Sequence, residues 1–287
     1  MNYIGSKNRL TDFIKSNVKA VVPGDLSAKI FCDLFAGTGI IGRSFKPDVK
    51  TVIANDIEFY SYVLLQNYIG NHQQLDYQQY LDELNNLQGK KGFIYEFYSE
   101  GGKENRLYFS SENGQKIDAA RIQLETWREN GIIIMNLYYF LLASIIESAD
   151  KVANTASVYG AFLKNLKASA KKELEIQPAS FDITQNPHEV HREDANSLIS
   201  KIEGDILYLD PPYNARQYGA NYHLLNTIAK YDTFVPQGKT GLRDYYRSSY
   251  CKTGEVRESF EALLREAKFQ YIFLSYNNEG LMLKQRR

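Results

Sequence analysis

Four short apolar runs constrain the fold of this chain more than any other feature. "KIFCDLF" (Lys29 to Phe35), "KTVIAND" (Lys50 to Asp56), "DILYLD" (Asp205 to Asp210) and "KFQYIFLSY" (Lys268 to Tyr276) each read as a strand, the third of them buried. The first two are each followed by a segment with helical spacing. Strands covered on both faces, with helices between them, make a parallel sheet with crossover helices, so the fold class expected is α/β.

The alternation stops at about Asn71 and returns at "EVHREDA" (Glu189 to Ala195). Between these points lie helix-like polar segments and a Gly- and Asn-rich stretch with aromatic pieces (Asn85 to Lys116), whose composition suggests hairpins. A long helical stretch is then expected over about Ile117 to Leu174. The organisation predicted is one α/β domain, 1–70 and 182–287, interrupted by an inserted region, 71–181.

Composition excludes some classes. With 34 basic and 34 acidic residues the formal net charge is zero, so a nucleic-acid surface would have to be a local patch. Cys32 and Cys251 lack metal-ligand or redox spacing, and no metal site is expected; a reducing, cytoplasmic compartment is. Met1 to Leu10 has no apolar core of the kind a secretory signal needs. The longest apolar run, Ile132 to Ile146, falls short of the roughly 20 residues that span a bilayer, so a buried core helix and no membrane contact are expected. Most of the 22 tyrosines are read as packing residues with one wet end.

Two strand ends carry chemistry. "DLFAGTG" (Asp33 to Gly39) is a strand turning into a helix through two glycines, which lets backbone approach a ligand closely. Asp56 ends the next strand at about the 20-residue spacing at which an acid reaches ribose hydroxyls. A third glycine and a pyrophosphate cradle are missing, which favours a nucleoside ligand over a dinucleotide. The other strand end is "DPPY" (Asp210 to Tyr213), where Pro211 and Pro212 remove two N–H donors and stiffen the chain behind an acid.

Taken in order, "YIGSK" (Tyr3 to Lys7), "DLFAGTG", "NDIE", "DPPY" and "FLSYNNEG" (Phe273 to Gly280) resemble the Dam-type, alpha-ordered adenine-N6 DNA methyltransferases of restriction-modification systems. The resemblance covers nearly the whole chain. It implies a Rossmann-like methyltransferase domain, S-adenosylmethionine as cofactor, double-stranded DNA as partner, and a target-recognition region where the insertion lies. A cognate restriction endonuclease in the same system is implied without a stable complex. Relatives usually continue beyond the strand carrying "FLSYNNEG", whereas here "LMLKQRR" (Leu281 to Arg287) ends the sequence, so a shortened C-terminus is expected and with it weakened activity.

Carried over by position, Asp33, Phe35, Gly37 and Gly39 would line the methionine side of the cofactor pocket, Asp56 would hold the ribose and Asp194 the cofactor adenine. Tyr3 and Lys7 would fold over the cofactor. For the adenine substrate so implied, the exocyclic nitrogen is a poor nucleophile because its lone pair is delocalised into the ring. The Asp210 carboxylate and the Pro211 carbonyl can each accept one amino hydrogen, freeing that lone pair, while Pro212 stiffens the turn and Tyr213 stacks the base. The base must be flipped out of the duplex. No cysteine stands near the motif, in keeping with direct transfer. Asp210 also borders the cofactor.

DNA contacts are expected from Lys164, Lys167 and Lys171 in a basic helical stretch, and from Arg243 and Arg247 in "RDYYRSSYCK". Arg216, Gln217 and Asn221, just beyond "DPPY", are candidates for the flipped base or its strand. Two other readings remain: an RNA exocyclic-amine methyltransferase, and a non-catalytic relative that binds cofactor or DNA.

Overall fold

The structure, a computed structural model, describes residues 10–212, 214–277 and 280–281; Tyr3, Lys7 and Tyr213 of the expected site lie outside the described residues. Helix α1 (Thr11–Val21) precedes strand β1 (Ile30–Asp33), helix α2 (Ile40–Phe45), strand β2 (Thr51–Asn55) and helix α3 (Phe59–Leu65), which runs on into a π-helical turn at Gln66–Gly70. Then come α4 (Gln78–Asn86), α5 (Phe93–Tyr98), α6 (Ser111–Glu129) and α7 (Met135–Val152). Strand β3 (Glu189–His191), helix α8 (Ala195–Ile199), strand β4 (Glu203–Leu209), helices α9 (Tyr218–Asn221), α10 (His223–Lys230) and α11 (Val256–Glu266), and strand β5 (Lys268–Leu274) complete the order.

The chain divides into two compact units. Among the described residues, the first takes 10–73, 181–217 and 246–281 and holds one parallel sheet of five strands in the order β3-β2-β1-β4-β5. The runs of β1, β2 and β4 become strands because both faces of the sheet are covered there; the run of β5, at the sheet edge, is a strand with Ile272 and Leu274 exposed. On one face Phe31 of β1 stacks on Phe45 of α2, ring centroids 4.1 Å apart. On the other, Cys32, Leu207 and Leu209 pack with Leu198 and Ile199 of α8 and Leu263 of α11. The predicted strands and the α/β class are therefore present.

A buried lysine marks where the chain leaves this unit and comes back. Lys46 is 1% exposed, and its ammonium donates to the carbonyls of Tyr68 (3.1 Å), Asn71 and Asp182 (2.9 Å). Burial pulls its pKa down to about 8.

The second unit takes Gln74–Ser180 together with Tyr218–Tyr245, a segment that the sequence organisation assigned to the 182–287 part. Helix α7 is the apolar run, with Phe140 to Ile146 buried, but Ile132 and Ile134 sit on the preceding turn and are exposed. Among the described residues no helix is long and apolar enough to cross a membrane.

Two local expectations for this unit are corrected. Where hairpins were expected, "FIYEFY" forms α5, because the Asp118 carboxylate on α6 accepts the N–H groups of Gly92 (3.0 Å), Ile94 (2.9 Å) and Tyr95 (2.8 Å). It satisfies the orphan donors of a helix start from a distant point in the sequence. The long helical stretch also ends early: after Val152 the chain is irregular to His188, and "KNLKASAKK" is turn and bend. Side chains of α4, α6 and α7, and of Asn154 at the start of the stretch itself, take its backbone groups. Asn154 bonds Leu163 and Lys167, Asn113 bonds Ala170, Lys172 and Leu174, Asn85 holds both groups of Ile176, and Ser148 and Ser144 accept from Gln177 and Ala179.

Candidate active site

In an open parallel sheet, ligands bind beyond the carboxyl ends of the strands, at the point where the strand order reverses. Here that point lies between β1 and β4, the two strands that carry "DLFAGTG" and "DPPY". The register pairs Asp33 with Ala54 of β2 and with Tyr208 of β4. Two residues further along each strand stand Phe35, Asp56 and Asp210. Bonds past the strand ends continue the alignment: Leu34 N–H donates to the Tyr208 carbonyl (3.2 Å) and Ala36 N–H to the Asn55 carbonyl (2.9 Å).

The glycine loop is shaped from below. Asp33 is buried, and its Oδ2 accepts the Gly42 N–H at 3.0 Å, pinning the first turn of α2. Gly37 and Gly39 have φ of 55° and 80°, left-handed values that favour glycine. A Cβ on Gly39 would also come within 2.8 Å of Leu65 Cδ2. The loop is therefore committed to glycine at both positions, as its sequence suggested.

Asp56 closes the loop from the side. Its Oδ2 accepts the Gly37 N–H and its Oδ1 the Glu58 N–H, both at 2.9 Å. Burial pushes its pKa up to about 7 against the pull of the Glu58 N–H. Asp194, at the start of α8, accepts the Ser197 N–H on Oδ1 (3.1 Å) and the Tyr246 hydroxyl on Oδ2 (2.5 Å), so it caps a helix and faces an aromatic residue at once. Asp210 follows β4 half-buried, with Pro211 buried behind it.

Sequence reasoning missed Asn55. It is 2% exposed; its amide donates to the carbonyls of Leu34 (3.2 Å) and Glu193 (3.1 Å), and its carbonyl oxygen accepts the Glu193 N–H (2.9 Å). One side chain thus holds the glycine loop against the loop that carries Asp194. The only signal was its place beside Asp56. Cys32 and Cys251 are both buried; burial raises the Cys32 thiol well above its ordinary value and pushes Cys251 up to about 11, so neither is an available thiolate.

The expected DNA-contact residues are distributed unevenly. In the first unit, Arg216 and Arg247 are exposed, whereas Gln217 has both ends of its amide on the main chain of Ser248. In the second, Lys164 and Lys171 are exposed and line a pocket with Glu100 and Glu112. Lys167 turns inward to the Thr155 carbonyl (2.6 Å), and the Asn221 carbonyl accepts the Tyr159 N–H. Arg243 is 7% exposed, forms a bidentate pair with Asp232 (2.9 and 2.7 Å) and lies over the Phe234 ring.

Known proteins bear on this arrangement. Residues 3–287 match the family described as D12 class N6 adenine-specific DNA methyltransferase. The chain is 62% identical to the type II methyltransferase M.NlaIII of Neisseria lactamica, over 98% of its own length and 85% of that protein's. It is 38% identical to the type II methyltransferase M.CviAII of Paramecium bursaria Chlorella virus 1, over 99% and 85%. Against the type II methyltransferase M.FokI of Planomicrobium okeanokoites the identity is 40%, over 99% of this chain but 46% of the relative. No solved structure matches it. With residues 3–287 matched, and with Phe35, Asp56 and Asp210 aligned beyond the strand ends around the switch point of a parallel sheet, the chain belongs to the D12 class of N6 adenine-specific DNA methyltransferases.

Proposed function

We propose that the chain transfers the methyl group of S-adenosylmethionine to N6 of an adenine flipped out of double-stranded DNA, as the modification enzyme of a type II restriction-modification system. The observation that carries this reading is the alignment of Phe35, Asp56 and Asp210 beyond the β1–β4 switch point. The donor and acceptor set fits the cofactor: left-handed glycines keep side chains out of the loop, and each Asp56 oxygen, taking one N–H, has a lone pair left for a ribose hydroxyl.

When bound, S-adenosylmethionine supplies an electrophilic methyl carbon on a sulfonium. Asp210 and the Pro211 carbonyl hold the two amino hydrogens of the target base and stabilise the positive charge that develops on its nitrogen. Tyr3, Lys7 and Tyr213 keep the roles that the family implies, over the cofactor and against the base. Flipping takes a few kcal/mol, which stacking and hydrogen bonds in the site offset.

The second unit, with the inserted region, is the target-recognition part. Phosphate contacts fall to the exposed Lys164, Lys171, Arg216 and Arg247. A restriction endonuclease of the same specificity is the partner in the system, and the cytoplasm is the compartment.

Labelled-methyl transfer to unmethylated duplex DNA, compared with RNA, tests the reading. Incorporation into DNA as N6-methyladenine is expected. Incorporation into RNA alone, or none, would sink it.

The raised pKa of Asp56 gives a second expected result. An ionised carboxylate accepts ribose hydroxyls better than a protonated one, and the ligand-free group loses its proton as pH rises through about 7. Cofactor affinity by calorimetry should therefore rise between pH 6 and pH 8, and Asp56→Asn should remove the slope. The sign for stability is opposite: an acid with a raised folded pKa costs stability as pH climbs from its ordinary value of 3.8 to about 7.

A further inference from the structure

The segment Tyr246–Cys251, with its interleaved basic and aromatic residues, reaches the sheet unit's site at separate places. The Tyr246 hydroxyl donates to Asp194 Oδ2 at 2.5 Å, the length of a charge-assisted bond. Burial and the Asp194 carboxylate both raise the pKa of Tyr246, which keeps it the donor. Tyr250 is buried with its ring edge-on to Phe35 of the glycine loop, centroids 5.0 Å apart, and its hydroxyl donates to Asn196 Oδ1 on α8 at 2.8 Å.

The same segment holds the loop that follows Asp-Pro-Pro. Ser248 N–H donates to Gln217 Oε1 at 2.9 Å, and Gln217 Nε2 donates to the Ser248 carbonyl at 3.4 Å. The amide stands where a neighbouring strand's peptide would. Cys251 Sγ adds a contact of 3.4 Å to the Arg216 carbonyl. Three residues singled out by sequence for different tasks, Phe35, Asp194 and Gln217, thus meet one short stretch of chain.

We propose that Tyr246–Cys251 is a strap that positions both halves of the reaction centre. Tyr246 is a positioning residue that orients Asp194 on the cofactor side. Gln217, through Ser248, is a positioning residue that fixes the loop beside the target base, and it does not read base edges. The proposal rests on the methyltransferase reading above.

Two substitutions separate the roles. Tyr246→Phe removes one hydroxyl and should raise the Kd for S-adenosylmethionine about tenfold, about 1.4 kcal/mol, with the KM for duplex DNA held within about twofold. Gln217→Ala should do the reverse, raising the KM for DNA about tenfold with cofactor Kd within about twofold. Gln217→Glu, which keeps the acceptor for Ser248 N–H, should recover part of that loss. A strap that only stabilises the fold would lower Tm and raise both constants together in each variant, and that result overturns the proposal. So does an unchanged cofactor Kd in Tyr246→Phe or an unchanged DNA KM in Gln217→Ala. If the wild-type chain binds no S-adenosylmethionine or methylates no DNA, the underlying reading falls first and the strap's role falls with it; that failure shows before any variant is compared.

Discussion

Asp210→Ala lowers kcat for DNA methylation by on the order of 10³-fold while the chain still binds S-adenosylmethionine. The reasoning is chemical. An amino nitrogen conjugated to the adenine ring attacks a methyl carbon only when its hydrogens are held out of the ring plane, and the carboxylate is the stronger of the two acceptors. The site geometry leaves no thiol to take over by another route, since both described cysteines are buried with raised pKa values. Asp210→Asn retains one acceptor oxygen but loses the negative charge, so it should fall between wild type and alanine. Single-turnover methyl transfer with saturating cofactor measures the chemical step alone. Retention of wild-type kcat in Asp210→Ala would remove the proposed mechanism.

Asp118→Asn unfolds the helical unit at much lower urea. Asp118 is fully buried and accepts four hydrogen bonds, from Gly92, Ile94, Tyr95 and the Tyr231 hydroxyl (2.7 Å). Burial raises its pKa, and the donors oppose the rise. An asparagine of the same size turns one acceptor into a donor pointed at N–H groups, leaving buried polar atoms unpaired. The expected loss is roughly 3 kcal/mol, read as a fall in the urea midpoint. Because the residue lies in the unit that lacks the sheet, cofactor binding should survive where DNA methylation does not. An unchanged midpoint would show that α5 does not depend on this carboxylate.

The contrast between the two units explains what the sequence made legible. Strands such as Ile30–Asp33 and Glu203–Leu209 are apolar because both faces of the sheet are covered, and that requirement is local enough to read residue by residue. The glycines of the loop and the acid two residues past each strand are likewise written next to the strands they serve. By contrast, α5 exists because of an acid on another helix, and the irregular path after Val152 is held by Asn85 and Asn113 from elsewhere in the chain and by Asn154 at its own start. Such long-range pairings leave no periodicity to detect, so a basic stretch with good helix formers reads as a helix. In the site, the acids were visible by type and spacing. Asn55, Tyr246 and the inward turn of Gln217 were not, because their partners lie on segments remote in sequence.

The asparagine-held stretch from Leu163 to Ala179 has a consequence for how this protein assembles. Its backbone bonds to itself are confined to one turn, where the N–H groups of Ala170 and Lys171 donate to the Lys167 carbonyl and that of Lys172 to the Ser169 carbonyl; other groups are matched to side chains on α4, α6 and α7 and to Asn154 in the loop after α7. A single turn is too little to nucleate on its own. On a newly made chain it must wait as an open coil until those helices have docked, and it is the first part to come loose when they separate.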